Sequence, residues 1–252
     1  MTVAGVDGCK AGWVAVIRRD AGMMPEAMVF SAFSELLAAL PDDAIVAVDM
    51  PIGLPDFSGR GGRGPEALVR PLLGQRQSSV FSIPSRAAVY ADTAEFTDLD
   101  AWYAAHRRAS EVAFKTSEPP RGVSIQAFGI FSKIREIDAL MVERPALRER
   151  VIESHPEVAF WRLNDERAMS LPKKIKGRVN PDGMEERKAL LARVGHERGF
   201  LDRVPPRGAA EDDFLDACAM MLVADRHRRN ETRSFPTPPG RDSYGIPVAI
   251  RA

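Results

Sequence analysis

Five acidic residues fall where a folded chain could gather negative charge. Asp7 ends the apolar run that begins at Val3, and Asp49 ends the run from Ala44 to Val48. Side chains alternate along a strand, so their same-face neighbours two residues back are Gly5 and Ala47. Both are small and leave room for an ion or a substrate. Glu153 closes the short run Val151-Ile152-Glu153, and Asp213 and Asp216 stand near the start of a long apolar helix. Three residues apart, those two share a helical face that continues as Ala217 and Met220. A carboxylate buried there needs a partner, because an unpaired charge in an apolar setting is costly. Carboxylates converging from strand ends and a helix can hold two divalent ions roughly 3.5–4 Å apart, which activate water and stabilise the leaving oxygen in phosphodiester cleavage. An all-oxygen donor set of this kind suits Mg²⁺ or Mn²⁺.

Simpler duties compete for the same residues. Asp7-Gly8 has the composition of a hairpin turn. Asp49 can be an exposed strand end, a reading that suits it less well because ligands in such sheets sit at the carboxyl ends of strands. Asp212 or Asp213 can cap the helix start and complement its dipole, a role that suits Asp216 less well. Ser154 and Glu157 have capping-box spacing with Pro156 in the first turn. His155 reads as a structural hydrogen-bonder or, beside Glu153, as a substrate contact.

The elements that must position these residues follow from periodicity. Val3 to Asp7, Trp13 to Ile17 and Ala27 to Phe30 read as three strands of a meander, with Gly8 to Gly12 as the first turn. A short helix spans Phe33 to Leu40, before Pro41. The continuous apolar run Ala44 to Val48 is the mark of a buried central strand. Residues from about 56 to 122 read as an insertion: a flexible basic loop from Ser58 to Gly64, helices from Glu66 to Leu73 and from Asp100 to Val112, and an irregular stretch from Gln75 to Arg86. Helical spacing then runs from Ser124 to Glu143, a strand covers 151–153, a helix opens after His155, and another spans Glu185 to Val194. The last helix runs from near Asp212 to near Arg229 and is apolar around most of its girth from Phe214 to Ala224. This order predicts an α/β fold, an RNase H-like mixed sheet flanked by helices. It forms one domain over 1–252, with a helical and irregular insertion after the fourth strand.

Composition narrows the setting. The formal net charge is zero, which argues against a non-specific nucleic-acid binder held by overall positive charge. Arginine nevertheless outnumbers lysine about four to one, and arginine suits bidentate phosphate contact. Arg76, Ser78, Ser79 and Arg86 in the irregular stretch, with Lys10, Gln126, Lys133 and His155, are the candidates for holding a substrate. They serve equally well to satisfy the insertion's own backbone and nearby carboxylates. Lys173, Lys174, Lys176 and Arg178 read as a solvated basic loop. No secretory signal pattern and no membrane-length apolar run is present, and Cys9 and Cys218 sit far apart, so a cytoplasmic protein is expected, without membrane contact. The four histidines have no zinc-ligand spacing.

Six blocks together resemble a known family: Gly5 to Trp13, Val48 to Leu54, Arg76 to Phe81 with Pro84 and Arg86, Ser124 to Gln126, Glu153 to Glu157, and Asp212 to Ala217. They are similar to an uncharacterised, largely prokaryotic domain-of-unknown-function family described as predicted RNase H-like nucleases. The Asp213-x-x-Asp216-Ala217 helix also resembles that of RuvC-type resolvases, which carry a glutamate where this chain has Asp49. The resemblance implies a nuclease site at Asp7, Asp49, Glu153, Asp213 and Asp216. A metal-dependent nuclease or phosphodiesterase acting on DNA or RNA is therefore the first expectation. The alternatives are an actin-like ATP-binding phosphotransferase, for which one such domain is too few and no Walker loop is present, and a binding module that keeps the fold without catalysis.

Overall fold

In a computed structural model that describes every residue except Glu95, the chain forms the mixed α/β sheet flanked by helices that its sequence predicts. Strands β1 (Val3–Cys9), β2 (Gly12–Arg18) and β3 (Glu26–Phe30) make the meander, followed by α1 (Phe33–Ala38) and β4 (Ile45–Asp49). The strand β5 (Val151–Ser154) completes a five-stranded sheet in the order β3-β2-β1-β4-β5. β2 is antiparallel to both neighbours, whereas β1, β4 and β5 run parallel. The carboxyl ends of those three strands lie together, the usual position for ligands in sheets of this kind.

Between β4 and β5 come α2 (Pro65–Val69), short 3-10 segments over Arg70–Leu72 and Gly74–Ser79, α3 (Arg86–Val89), α4 (Leu99–Lys115), α5 (Ile125–Gly129) and α6 (Phe131–Glu143). The helix expected from Ser124 to Glu143 is broken at Ile130, where Ser124 caps the first piece. After β5 come α7 (Pro156–Leu163), a tiny hairpin of β6 (Lys174–Ile175) and β7 (Arg178–Val179), α8 (Pro181–Arg193), α9 (Arg198–Leu201) and α10 (Glu211–Arg228). A hairpin of β8 (Ser234–Arg241) and β9 (Pro247–Arg251) closes the chain and packs beside β5.

The sheet separates two cores. Ala4, Val6, Val46 and Val48 face α1 and α6, which contribute Phe33, Leu36, Phe131, Ile134 and Ile137. Val3, Ala47 and Ile152 face α7 and α10. From Phe214 to Ala224 α10 is buried without interruption, as its all-round apolar sequence requires. It crosses β1 at Gly5, where an added Cβ would lie 1.9 Å from the Met221 amide nitrogen and 2.2 Å from the Ala217 carbonyl oxygen. Backbone meets backbone there, so only glycine fits. A third cluster ties the insertion to the C-terminal hairpin: Val69, Leu73 and Val80 pack with Val158, Trp161, Phe235 and Ile250.

Gly5→Ala must push α10 off the sheet. It is expected to destabilise the protein by about 1–3 kcal/mol or more, read as a lower urea midpoint at unchanged slope. An unchanged midpoint would show that helix and strand are not in backbone contact.

Candidate metal centre

Strand parity sorts the acidic residues at the end of the sheet. β1 and β4 pair in register from Val3 opposite Ile45 to Val6 opposite Val48, so Asp7 and Asp49 follow side by side at the next position. With Gly5 and Ala47 two residues back, both carboxylates belong to the face covered by α10. Asp216, one residue before the Ala217 that touches Gly5, projects from α10 toward them. Oxygens of Asp7, Asp49 and Asp216 lie within 4.8 Å of one another. Asp7 and Asp216 are buried, and Asp49 is partly open.

Glu153 is not part of this group. It stands opposite Val48 in β5, one position short of Asp49, and that single step turns it to the other face. There it meets Arg63, which is wholly buried. The Arg63 guanidinium reaches Glu153 at 2.5 Å and Glu66 at 2.8 Å, and also donates to the carbonyls of Ile52 and Gly53. The Ile52 amide donates to Glu153 as well, at 2.7 Å. Burial raises the pKa of Glu153 and Arg63 opposes that rise. The loop expected to be flexible and basic thus sends one arginine into the interior, where two buried carboxylates pair with it in place of water.

Asp213 also stands apart from the three. It is the third residue of α10, where its Oδ2 accepts the Ala210 amide at 3.0 Å, so it caps the helix start. It remains close enough to add to the negative field at Asp7 and Asp49. The capping box expected at Ser154 and Glu157 is replaced by a different arrangement. The cap of α7 is His155, whose Nδ1 accepts the Glu157 amide at 3.2 Å. Ser154 instead donates to the Arg251 carbonyl at 2.7 Å, and Glu157 pairs with the fully buried Arg187. The neighbouring β9 strand takes the hydroxyl that the helix would have used.

Compensation of the three acids is uneven. Asp7 Oδ1 accepts the Gly8 amide at 2.6 Å, and Asp216 is bonded to the Lys173 ammonium. Asp49 accepts no hydrogen bond from any described residue. Burial, followed by repulsion from Asp49 and Asp216, pushes the Asp7 carboxyl well above the usual range. Burial and Asp216 push Asp49 up to about 7. Lys173 was missed by sequence reading, since its basic run looks like any solvated loop. Here Asp216 and Asp7 outweigh the cost of burial and hold its charge.

Beside Asp7 and Asp49 opens a cavity of about 170 Å³, walled by Ser79, Phe81, Lys133 and His155 among others. Lys133 lays its stem on Gly8, donates to the Gly12 carbonyl and sits 4.4 Å from the centroid of the Trp13 ring. His155 reaches the Ser79 carbonyl at 3.3 Å, and burial lowers its pKa. Of the other candidate substrate contacts, Lys10, Ser78 and Gln126 are exposed and Arg76 is half-buried. None of these four lines the cavity. Arg86 is committed elsewhere, to the buried carboxylates of Asp138 and Asp242.

Two outcomes follow from this geometry. Arg63→Met leaves Glu153 and Glu66 buried without their cation and is expected to cost about 3–5 kcal/mol in chemical denaturation; a loss under 1 kcal/mol would place that pair in water. The second concerns pH in chelator. Unfolded, Asp49 loses its proton near pH 4; folded, it keeps it until about pH 7. The folded state therefore holds the extra proton in that window, and stability falls as pH rises through it. The melting temperature of Asp49→Asn, free of this effect, is expected to climb relative to wild type between those two pH values.

Comparison with curated proteins and with solved structures returned no match. Over residues 5–241, which contain all three clustered acids and all of the five-stranded sheet but the first two residues of β1, the chain matches the family described as Protein of unknown function (DUF429), and it belongs to that family.

Proposed function

We propose that this chain is a divalent-metal-dependent phosphodiesterase acting on nucleic acid, built on an RNase H-like sheet. The observation that carries this reading is the meeting of Asp7, Asp49 and Asp216 within 4.8 Å, from two parallel strand ends and a buried helix. Carboxyls with raised pKa values beside a cavity are a feature of functional sites, and a bound cation would relieve their mutual repulsion. Three oxygen donors fit a hard cation such as Mg²⁺ or Mn²⁺, which completes its shell with water. Such an ion supplies an activated water and charge stabilisation for the leaving oxygen.

The chain's own residues provide the rest. Asp7 and Asp49 are fixed by strand backbone and Asp216 by a helix that cannot shift, so little reorganisation accompanies binding. Lys133 stands on the cavity wall with its ammonium near Asp7, placed to meet a phosphate oxygen. This local positive charge supplies what the neutral overall composition does not.

Melting curves with and without Mn²⁺, paired with cleavage of DNA and RNA oligonucleotides, test the reading. Wild type is expected to gain stability from Mn²⁺ and to cleave. Asp49→Asn, which breaks no hydrogen bond, is expected to be at least as stable without metal, to lose the Mn²⁺ response and to be inactive. A variant that still gains stability from Mn²⁺ would remove Asp49 from the site. Metal binding without cleavage of either polymer would turn the reading to a non-catalytic module.

A further inference from the structure

The lysine inside the acid cluster is held there by its backbone as well as by its charge. The Lys173 carbonyl accepts the Asn180 amide at 2.9 Å, and Asn180 Nδ2 donates to the Pro172 carbonyl at 2.8 Å. One residue earlier, the Leu171 carbonyl accepts from Arg187 at 3.0 Å. Gly183 completes the clip, since a Cβ there would lie 2.1 Å from the Pro172 oxygen. Residues 171–173 are thus fastened to the start of α8 by their backbone, whereas the hairpin beyond them, Lys174 to Val179, is exposed. From this base the Lys173 ammonium reaches Asp216 and comes to 3.9 Å from Asp212. Its neighbour Lys174 takes Asp212 alone, at 2.6 Å.

The same clip leads to a second buried acid. Arg187, which holds Leu171, also holds Glu157. Glu157 lies near enough to Asp49 to act on its charge. It is 4% exposed, and its Oε2 has no partner. Even with Arg187 and Lys173 in place, a buried carboxylate oxygen at this end of the sheet is left without a hydrogen-bond partner.

Resting on the metal-site reading above, we propose that Lys173 is a built-in second cation, so that the centre takes one divalent ion and not two. Once an ion displaces the protons of Asp7 and Asp49, three carboxylates and one ammonium sum to two minus, which one divalent ion balances. A pair of ions at the spacing used in two-metal hydrolysis would bring four positive charges to three carboxylates already carrying an ammonium. Lys173 supplies the second positive charge as a fixture of the protein, available to the anionic oxygens of a phosphodiester once the ion is bound.

Titration calorimetry with Mn²⁺, with bound ions counted by electron paramagnetic resonance, tests this on the full chain. Wild type is expected to bind one ion per chain. Lys173→Met removes a positive charge a few ångströms from the ion and is expected to bind Mn²⁺ about tenfold tighter or more, or to take up a second ion. Lys173→Arg is expected to keep the wild-type count and affinity, as is Lys174→Met, whose partner lies outside the three acids. A wild-type count of two, or a Lys173→Met protein that is folded by circular dichroism yet binds as wild type does, would overturn the inference and leave the metal site standing. Absence of any Mn²⁺ binding that Asp49→Asn abolishes would overturn the site itself, and the inference with it.

Discussion

The contact between α10 and β1 at Gly5 sets the distances on which the acid cluster depends. With no side chain between them, the helix backbone lies directly on the strand, and Asp216 is brought within reach of Asp7 and Asp49. The apolar length of α10 holds this approach in place, because every residue from Phe214 to Ala224 is buried and sliding the helix would expose or overpack several of them at once. The site is therefore built on the most buried contact in its neighbourhood, where a shift of one ångström is hardest to make.

That rigidity is set against electrostatic strain. Two kinds of buried carboxylate occur at the same end of the sheet. On one face Glu153 and Glu66 share Arg63; on the α10 side, near the three aspartates, Glu157 pairs with Arg187. Asp7 and Asp49 have no cation of their own, and Asp216 shares one lysine with its surroundings. A paired buried acid is a structural device whose removal is costly, whereas an unpaired one is a latent binding site. The contrast is between acids that share a buried arginine and a cluster that does not.

The insertion links the two. Arg63 anchors it beneath β5, its 3-10 segment supplies Ser79 to the cavity wall, and Val69, Leu73 and Val80 lock it to the C-terminal hairpin. It closes over the ends of the parallel strands and leaves a cavity where an open groove would otherwise be. Arg86, by contrast, is used for internal pairing and contributes nothing to the site.

Local patterning was enough to read the meander, the buried fourth strand and the long apolar helix, because each rests on a period or a run confined to one segment. It marked Asp7, Asp49 and Asp216, which end strands or open a helix beside small residues, as candidates, but set Glu153 and Asp213 with them without distinction. The proline-rich segment of β8 hid the final hairpin, and Gly129, which marks the break at Ile130, reads in the local pattern as part of one helix. Which acids meet was a different kind of question. Glu153 and Asp49 each close a strand, yet a register of one residue, visible only when β4 and β5 pair, puts them on opposite faces. Arg63 and Lys173 look like loop residues until the fold surrounds them with carboxylates. Charge pairing across 90 residues for Arg63 and 43 for Lys173 depends on the fold as a whole, and only the tertiary structure could decide it.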